Sequence, residues 1–128
     1  FSGAVLTGVT GDRLDHTFCN LGIVIKFFHK IQLFIFAENS VLQPYTGYNE
    51  IQTVPGETIS IYGLHPETII NSRGLKYKLN NISLPFGEKE STSNIALKNK
   101  IILEVKEGII FVVRDYHLMR RNGFLRTD

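Results

Sequence analysis

The chain has 128 residues, 43% hydrophobic and 20% charged, with a formal charge of +2. That length holds one sizeable core, or a small domain plus part of another, and that charge is too small to argue for nucleic acid. One cysteine, Cys19, excludes an intramolecular disulfide framework, and no run approaches the ~20 apolar residues of a membrane helix, so a reducing, cytoplasmic setting without a membrane partner is expected.

The chain opens at Phe1, directly in front of a strand-like run, and is expected to be part of a longer protein. Ala4 to Val9 is a short apolar run closed by Gly8, Thr10 and Gly11, the pattern of a buried strand ending in a tight turn. From Asp15 the apolar positions Phe18, Leu21, Ile25 and Phe28 recur at helical intervals, with His29 and Lys30 in the last turn where positive charge suits the helix dipole. Ile31 to Ala37 reads as a second buried strand. Strand, helix and strand at this spacing predict a βαβ unit of a parallel sheet, which alone would leave its edges exposed.

Beyond Asn39 the character changes to short strands separated by turn residues. Val41 to Tyr45, Tyr48 to Val54, Thr58 to Tyr62 and Thr68 to Ser72 are predicted strands, punctuated by Pro44, Gly47, Gly63 and Pro66. Val54 to Glu57 predicts a hairpin turn, and Glu107-Gly108 a second hairpin between Ile101 to Lys106 and Ile109 to Val113. Leu75, Tyr77 and Leu79 alternate with polar residues, which gives one face to a core and the other to water. Asn81-Ile82-Ser83 fits a glycosylation sequon but is more simply part of a turn. The fold class expected is mainly β: a small antiparallel β-sandwich over residues 39–117, preceded by a β-α-β remnant of an α/β nucleotide-binding domain over residues 1–38. Residues 118–128, with Arg120, Arg121 and Arg126, form an aperiodic tail.

Two stretches carry chemistry. Gly8 to His16 lies between a strand and a helix; glycines such as Gly11 let backbone amides approach an anion, and Arg13 can grip two phosphate oxygens. The bland alternative is an ordinary strand-to-helix turn with Asp15 capping the helix, and the glycine spacing matches neither the Rossmann fingerprint nor the P-loop. Asp12, Asp15 and His16 are too few to hold a metal alone, and Cys19 is most simply a small apolar residue. The second stretch is Gly74 to Asn94, read as two strand-like pieces and a charged loop. There Tyr77 can stack on a flat ring and Ser91, Thr92, Ser93 and Asn94 can bond its polar edge, unless Tyr77 is a core aromatic and the polar run a capped turn. No base or oxyanion hole is visible to make Ser91 or Ser93 a nucleophile.

Four pieces stand in one order: TGVTGDRLDHTFCNL at 7–21, GLKYKLNNISLPFG at 74–87, STSN at 91–94 and EVKEGIIFVV at 104–113. Together they resemble the C-terminal portion of thiamine pyrophosphokinase (thiamine diphosphokinase), especially the bacterial form. The resemblance implies an α/β domain that binds ATP, a β-sandwich that helps bind thiamine, and transfer of pyrophosphate from ATP to thiamine with release of AMP. It implies Mg²⁺ held mainly by residues outside this chain, and a homodimer in which one subunit's sandwich completes the other's site. By that resemblance Arg13 and Asp15 are the catalytic pair, Gly11 and Arg13 bind phosphate, and Tyr77 with Ser91, Thr92, Ser93 and Asn94 lies at the thiamine side. Asp12 stands where the family usually has a second glycine, and the family's acidic metal motifs are absent from these residues. The chain alone is therefore expected to be inactive. The competing expectation is a noncatalytic β-sandwich module that binds a ligand or regulates an α/β partner domain.

Overall fold

The structure, a computed structural model, describes residues 3–7, 21–29 and 32–125. The chain divides into two compact units, one formed by Phe1–Pro44 with Val113–Asp128 and the other by Tyr45–Val112.

In the first unit, β1 (Gly3–Thr7) pairs in parallel with β2 (Gln32–Ala37), from Gly3 opposite Gln32 to Thr7 opposite Phe36. Residues 21–26, between them in sequence, are helical (α1). Val24 is the fully buried position of that segment while Ile25 stays 39% exposed, so the apolar stripe is turned one residue from the one predicted. A two-residue turn at Glu38 and Asn39 sends the chain into β3 (Ser40–Gln52), which pairs antiparallel with β2. The end of β7 (Lys100–Asp115) leads directly into α2 (Tyr116–Arg121), so Leu118 to Arg121 are helical where an aperiodic tail was expected. Asp115 caps this helix by accepting from the Leu118 N–H at 2.8 Å, and Arg120 and Arg121 lie in its last turn where they favour the dipole. Met119 packs with Phe34 and Val41, with Phe36, Tyr116 and Phe124 against them; burying that one side chain stabilises by about 2 kcal/mol.

The second unit is all-β. Parts of β3 and β7 continue into it, joined by β4 (Thr58–Gly63), β5 (Ile69–Arg73) and β6 (Ser91–Ile95). The strand order is β3-β7-β4-β6, with β5 also pairing to β7. The pairings of β4 with β6 and of β5 with β7 are both antiparallel. Ile59, Ile61, Ile70, Ile101, Leu103 and Ile110 form the middle of its core, all fully buried.

Three of the expected breaks between strands take another form, for backbone reasons. Pro44 and Gly47 do not divide β3, which runs thirteen residues through both. The turn at Val54 to Glu57 forms, with the Glu57 N–H donating to the Val54 carbonyl at 2.9 Å, yet β3 and β4 are not paired because β7 lies between them. Glu107 and Gly108 do not make a hairpin either. Both have positive φ, 64° and 139°, inside one sixteen-residue strand. Their carbonyls are held from either side, Glu107 by the Thr68 hydroxyl at 2.6 Å and Gly108 by the Thr46 hydroxyl. The kink changes the phase of burial: Ile101, Leu103 and Val105 face the core before it, Ile110 and Val112 after it. An unkinked strand would turn one of these sets to water.

Candidate functional site

Residues 74–90 are not the pair of strands their alternation predicts. They make only isolated bridges, Leu75 with Ala96 and Ile82 with Ile70. Their order comes from stapling instead. The Leu79 N–H donates to Ser72 Oγ at 2.7 Å, the Asn81 N–H to Asn71 Oδ1 at 2.8 Å, and Ser83 Oγ to the Pro66 carbonyl at 2.6 Å. Leu75, Leu79 and Leu84 drop into the core as plugs. Tyr77 does not follow them: it is 57% exposed, which removes its reading as a core aromatic, and the Lys76 ammonium lies 5.4 Å from its ring centroid.

One side chain holds this arrangement. Asn94, fully buried, accepts the Tyr77 N–H at 3.0 Å and donates to the Tyr77 carbonyl at 2.7 Å. Its amide also donates to Ser91 Oγ at 3.0 Å, and its oxygen accepts the Ile95 N–H at 2.9 Å. All four hydrogen-bonding positions of the amide are thereby filled from within the protein. Ser93, at φ 55°, uses its N–H on Ser60 Oγ at 3.0 Å, in the irregular register between β4 and β6.

The result is an open recess of about 310 Å³ in which Tyr77, Ser91 and Thr92 meet over an apolar floor of Leu79 and Ile82. Ser93 and Asn94 do not line it; Asn94 supports it from beneath. Lys78, Lys89 and Glu90 do line it and escape notice in the sequence, where Lys78 reads as a water-facing strand position and Lys89 and Glu90 as a charged loop. Gly11, Arg13 and Asp15, with Asp12, His16 and Cys19, lie outside the described residues. Among the described residues no three His, Cys, Asp or Glu side chains stand together as a metal site. No described helix is long and apolar enough to cross a membrane.

A second open recess, of about 450 Å³, sits beside Tyr48, Arg73 and Ile102. The Tyr48 hydroxyl donates to Glu50 at 3.2 Å, and the Lys100 ammonium pairs with the same carboxylate at 2.9 Å. These bonds, the Lys100 one first, hold the Glu50 carboxyl below its usual range and raise Lys100 above its own. Because the folded-state value of Glu50 is depressed, whatever stability it adds is complete above the ordinary glutamate range and is lost as pH falls through its own lower value. A carbon-detected NMR titration of Glu50 should therefore give a midpoint below that of a free glutamate, and Lys100→Gln should move it upward; an unmoved midpoint would contradict the pairing.

A sequence model of the "Thiamin pyrophosphokinase, vitamin B1 binding domain" matches residues 48–110, almost the whole of the second unit. Thiamin pyrophosphokinase 1 of Caenorhabditis elegans is 31% identical over 119 residues, covering 88% of this chain and 49% of that protein. The solved thiamine pyrophosphokinase of Bacillus subtilis has a similar fold, with a TM-score of 0.74 and 24% identity over 87% of this chain and 55% of that one. That of Geobacillus thermodenitrificans gives 0.74 and 25%, over 87% and 53%. The chain spans about half the length of the curated relatives it matches. The chain belongs to the thiamin pyrophosphokinase family, and its second unit corresponds to that family's vitamin B1 binding domain.

Proposed function

We propose that this chain is the thiamine-recognising portion of a thiamine diphosphokinase, and that the recess between Tyr77 and Ser91-Thr92 takes thiamine. The observation that carries the reading is the exposed Tyr77 ring beside two hydroxyl side chains, inside the stretch matched to the vitamin B1 binding domain. A flat ring lies on Tyr77 while Ser91 and Thr92 bond its polar edge. The neutral aminopyrimidine ring suits that place better than the cationic thiazolium, because Lys76 already brings a positive charge to Tyr77. Asn94 acts as a positioning residue, holding the backbone of Tyr77 and the hydroxyl of Ser91.

In the whole protein the thiamine hydroxyl oxygen attacks the β-phosphorus of ATP; that bond forms as the bond to the α-phosphate oxygen breaks, the hydroxyl proton passes to water, and AMP leaves. Little covalent work falls to side chains in such a displacement, so positioning and charge dominate. Gly11 and Arg13 are proposed to hold phosphate and Asp15 to order the polar network, in a strand-helix-strand portion that contributes to the ATP site. Mg²⁺ held mainly outside this chain would screen phosphate charge. A cytoplasmic homodimer, with the sandwich of one subunit meeting the ATP-binding domain of the other, completes the proposal.

Titration calorimetry of the chain with thiamine tests the recess. Tyr77→Ala should weaken binding by about tenfold, the scale of one lost ring contact, while Arg121→Ala leaves it unchanged. Equal affinities for Tyr77→Ala and the parent would remove the recess from the reading. For the reaction, the full-length protein given ATP and thiamine should release AMP and thiamine diphosphate in equal amounts; ATP consumed to ADP instead would overturn the pyrophosphoryl step.

A further inference from the structure

We propose that the recess beside Tyr48 binds a small planar heterocycle carrying a phosphate, with the ring against Tyr48 and the phosphate held by Arg73 and Lys78. The site is distinct from the thiamine recess: Lys78 borders both, but neither Tyr77, Ser91 nor Thr92 borders this one.

The pairing of β5 with β7 builds the floor. Asn71 stands opposite Glu104 and Arg73 opposite Ile102, on the face away from the core, because the alternating neighbours Ile70, Ser72, Leu103 and Ile101 are buried. Ile102 gives an apolar floor and Tyr48, 59% exposed, an apolar wall whose hydroxyl is tied back to Glu50. At about 450 Å³ the recess is within the range of small-molecule sites, roughly 300–1,000 Å³.

Charge decides what enters. Neither Arg73 nor Lys78 makes an ion pair or a side-chain hydrogen bond among the described residues. The carboxylate diagonal to Arg73 across the strand pair, Glu104, instead stands 3.9 Å from the Lys106 ammonium. Two unpaired cations at one rim, one of them a planar five-donor fork, match a phosphate. Asn71 adds donors of its own, since its oxygen already accepts the Asn81 N–H and its NH₂ remains for a ligand. Glu104, also lining the recess, is an acceptor for an amino group on the ring and disfavours a bare polyanion.

The test uses the whole chain and adenosine 5′-monophosphate, a flat aminated ring joined to one phosphate. Nitrogen–proton NMR spectra should show saturable shifts at Asn71, Arg73 and Asn80, and Arg73→Gln and Lys78→Gln should each weaken binding about tenfold. Both side chains are exposed, and an unchanged melting temperature in each variant shows that the fold is kept. Inorganic phosphate should bind more weakly than the nucleotide, and Tyr48→Ala should bring the two together. Shifts confined to residues 8–16, or insensitive to Arg73→Gln, would overturn the proposal, as would inorganic phosphate binding the parent as tightly as the nucleotide.

Discussion

Gly108→Ala should destabilise the protein by about 3 kcal/mol, the sum of a backbone held in a glycine-only conformation and one broken buried hydrogen bond. At φ 139° an L side chain is strained whatever the space around it, and a Cβ there would overlap Thr68 Oγ1. Thr68 is fully buried and cannot move aside without giving up its bond to the Glu107 carbonyl. The kink that lets both halves of β7 face one core would be forced to relax, and a shift of register exposes whole rows of side chains. In a domain of this size the loss corresponds to a melting temperature lower by on the order of 15 °C. Thr68→Val, which removes only the hydroxyl bond, should cost about 1 kcal/mol. A Gly108→Ala protein that melts with the parent would show that the kink is not fixed by this residue.

Asn94→Ala should cost about 3 kcal/mol and abolish measurable thiamine binding with it, because several polar groups lose their partner at once. The Tyr77 N–H and carbonyl and the Ser91 hydroxyl all lean on this amide. Part-buried groups regain some water when the side chain is cut away, which keeps the cost below the sum for groups sealed from solvent. Asn94→Asp should be no better, since a carboxylate would confront the Tyr77 carbonyl where the amide NH₂ had donated, in a site closed to water. Ser93→Ala, which leaves the backbone bond to Ser60 intact, should be close to neutral in stability. Urea unfolding beside calorimetry separates two roles: binding lost at unchanged stability would make Asn94 a ligand contact, whereas loss of both makes it a bracket.

What the sequence revealed and what it hid divide along physical lines. Alternation in Ile101, Leu103 and Val105 and in Thr58 to Tyr62 located β7 and β4, because a half-buried strand must alternate. The connections were less legible. Glu107-Gly108 looks like a hairpin turn and Gly47 like a break between strands because glycine marks any positive φ, and at Glu107-Gly108 only the Thr46 and Thr68 hydroxyls, distant in sequence, decide that the chain bends without reversing. In Gly74 to Asn94 the period of two was real for Leu75 and Leu79 yet false for Tyr77, since staples to β5 replaced a regular ladder. The recess was half visible: the aromatic and hydroxyl residues stood out by type, whereas the bracketing role of Asn94 depends on a partner seventeen residues away. For α2, Asp115 before an apolar and basic run was the available cap signal, in a segment too short to show helical periodicity.

The interleaving of the two units has a consequence for how the chain is made. The Asn39 side chain meets His117 across 78 residues, and Phe34 and Val41 are packed by Met119, so this core cannot be finished until the stretch after Val113 has emerged. Tyr45–Val112, by contrast, is contiguous and has all its partners in hand earlier. Domains fold as units during synthesis, and loop closure must precede long-range contacts. The contiguous unit is therefore the natural nucleus, and Phe34 waits for Met119 while it forms.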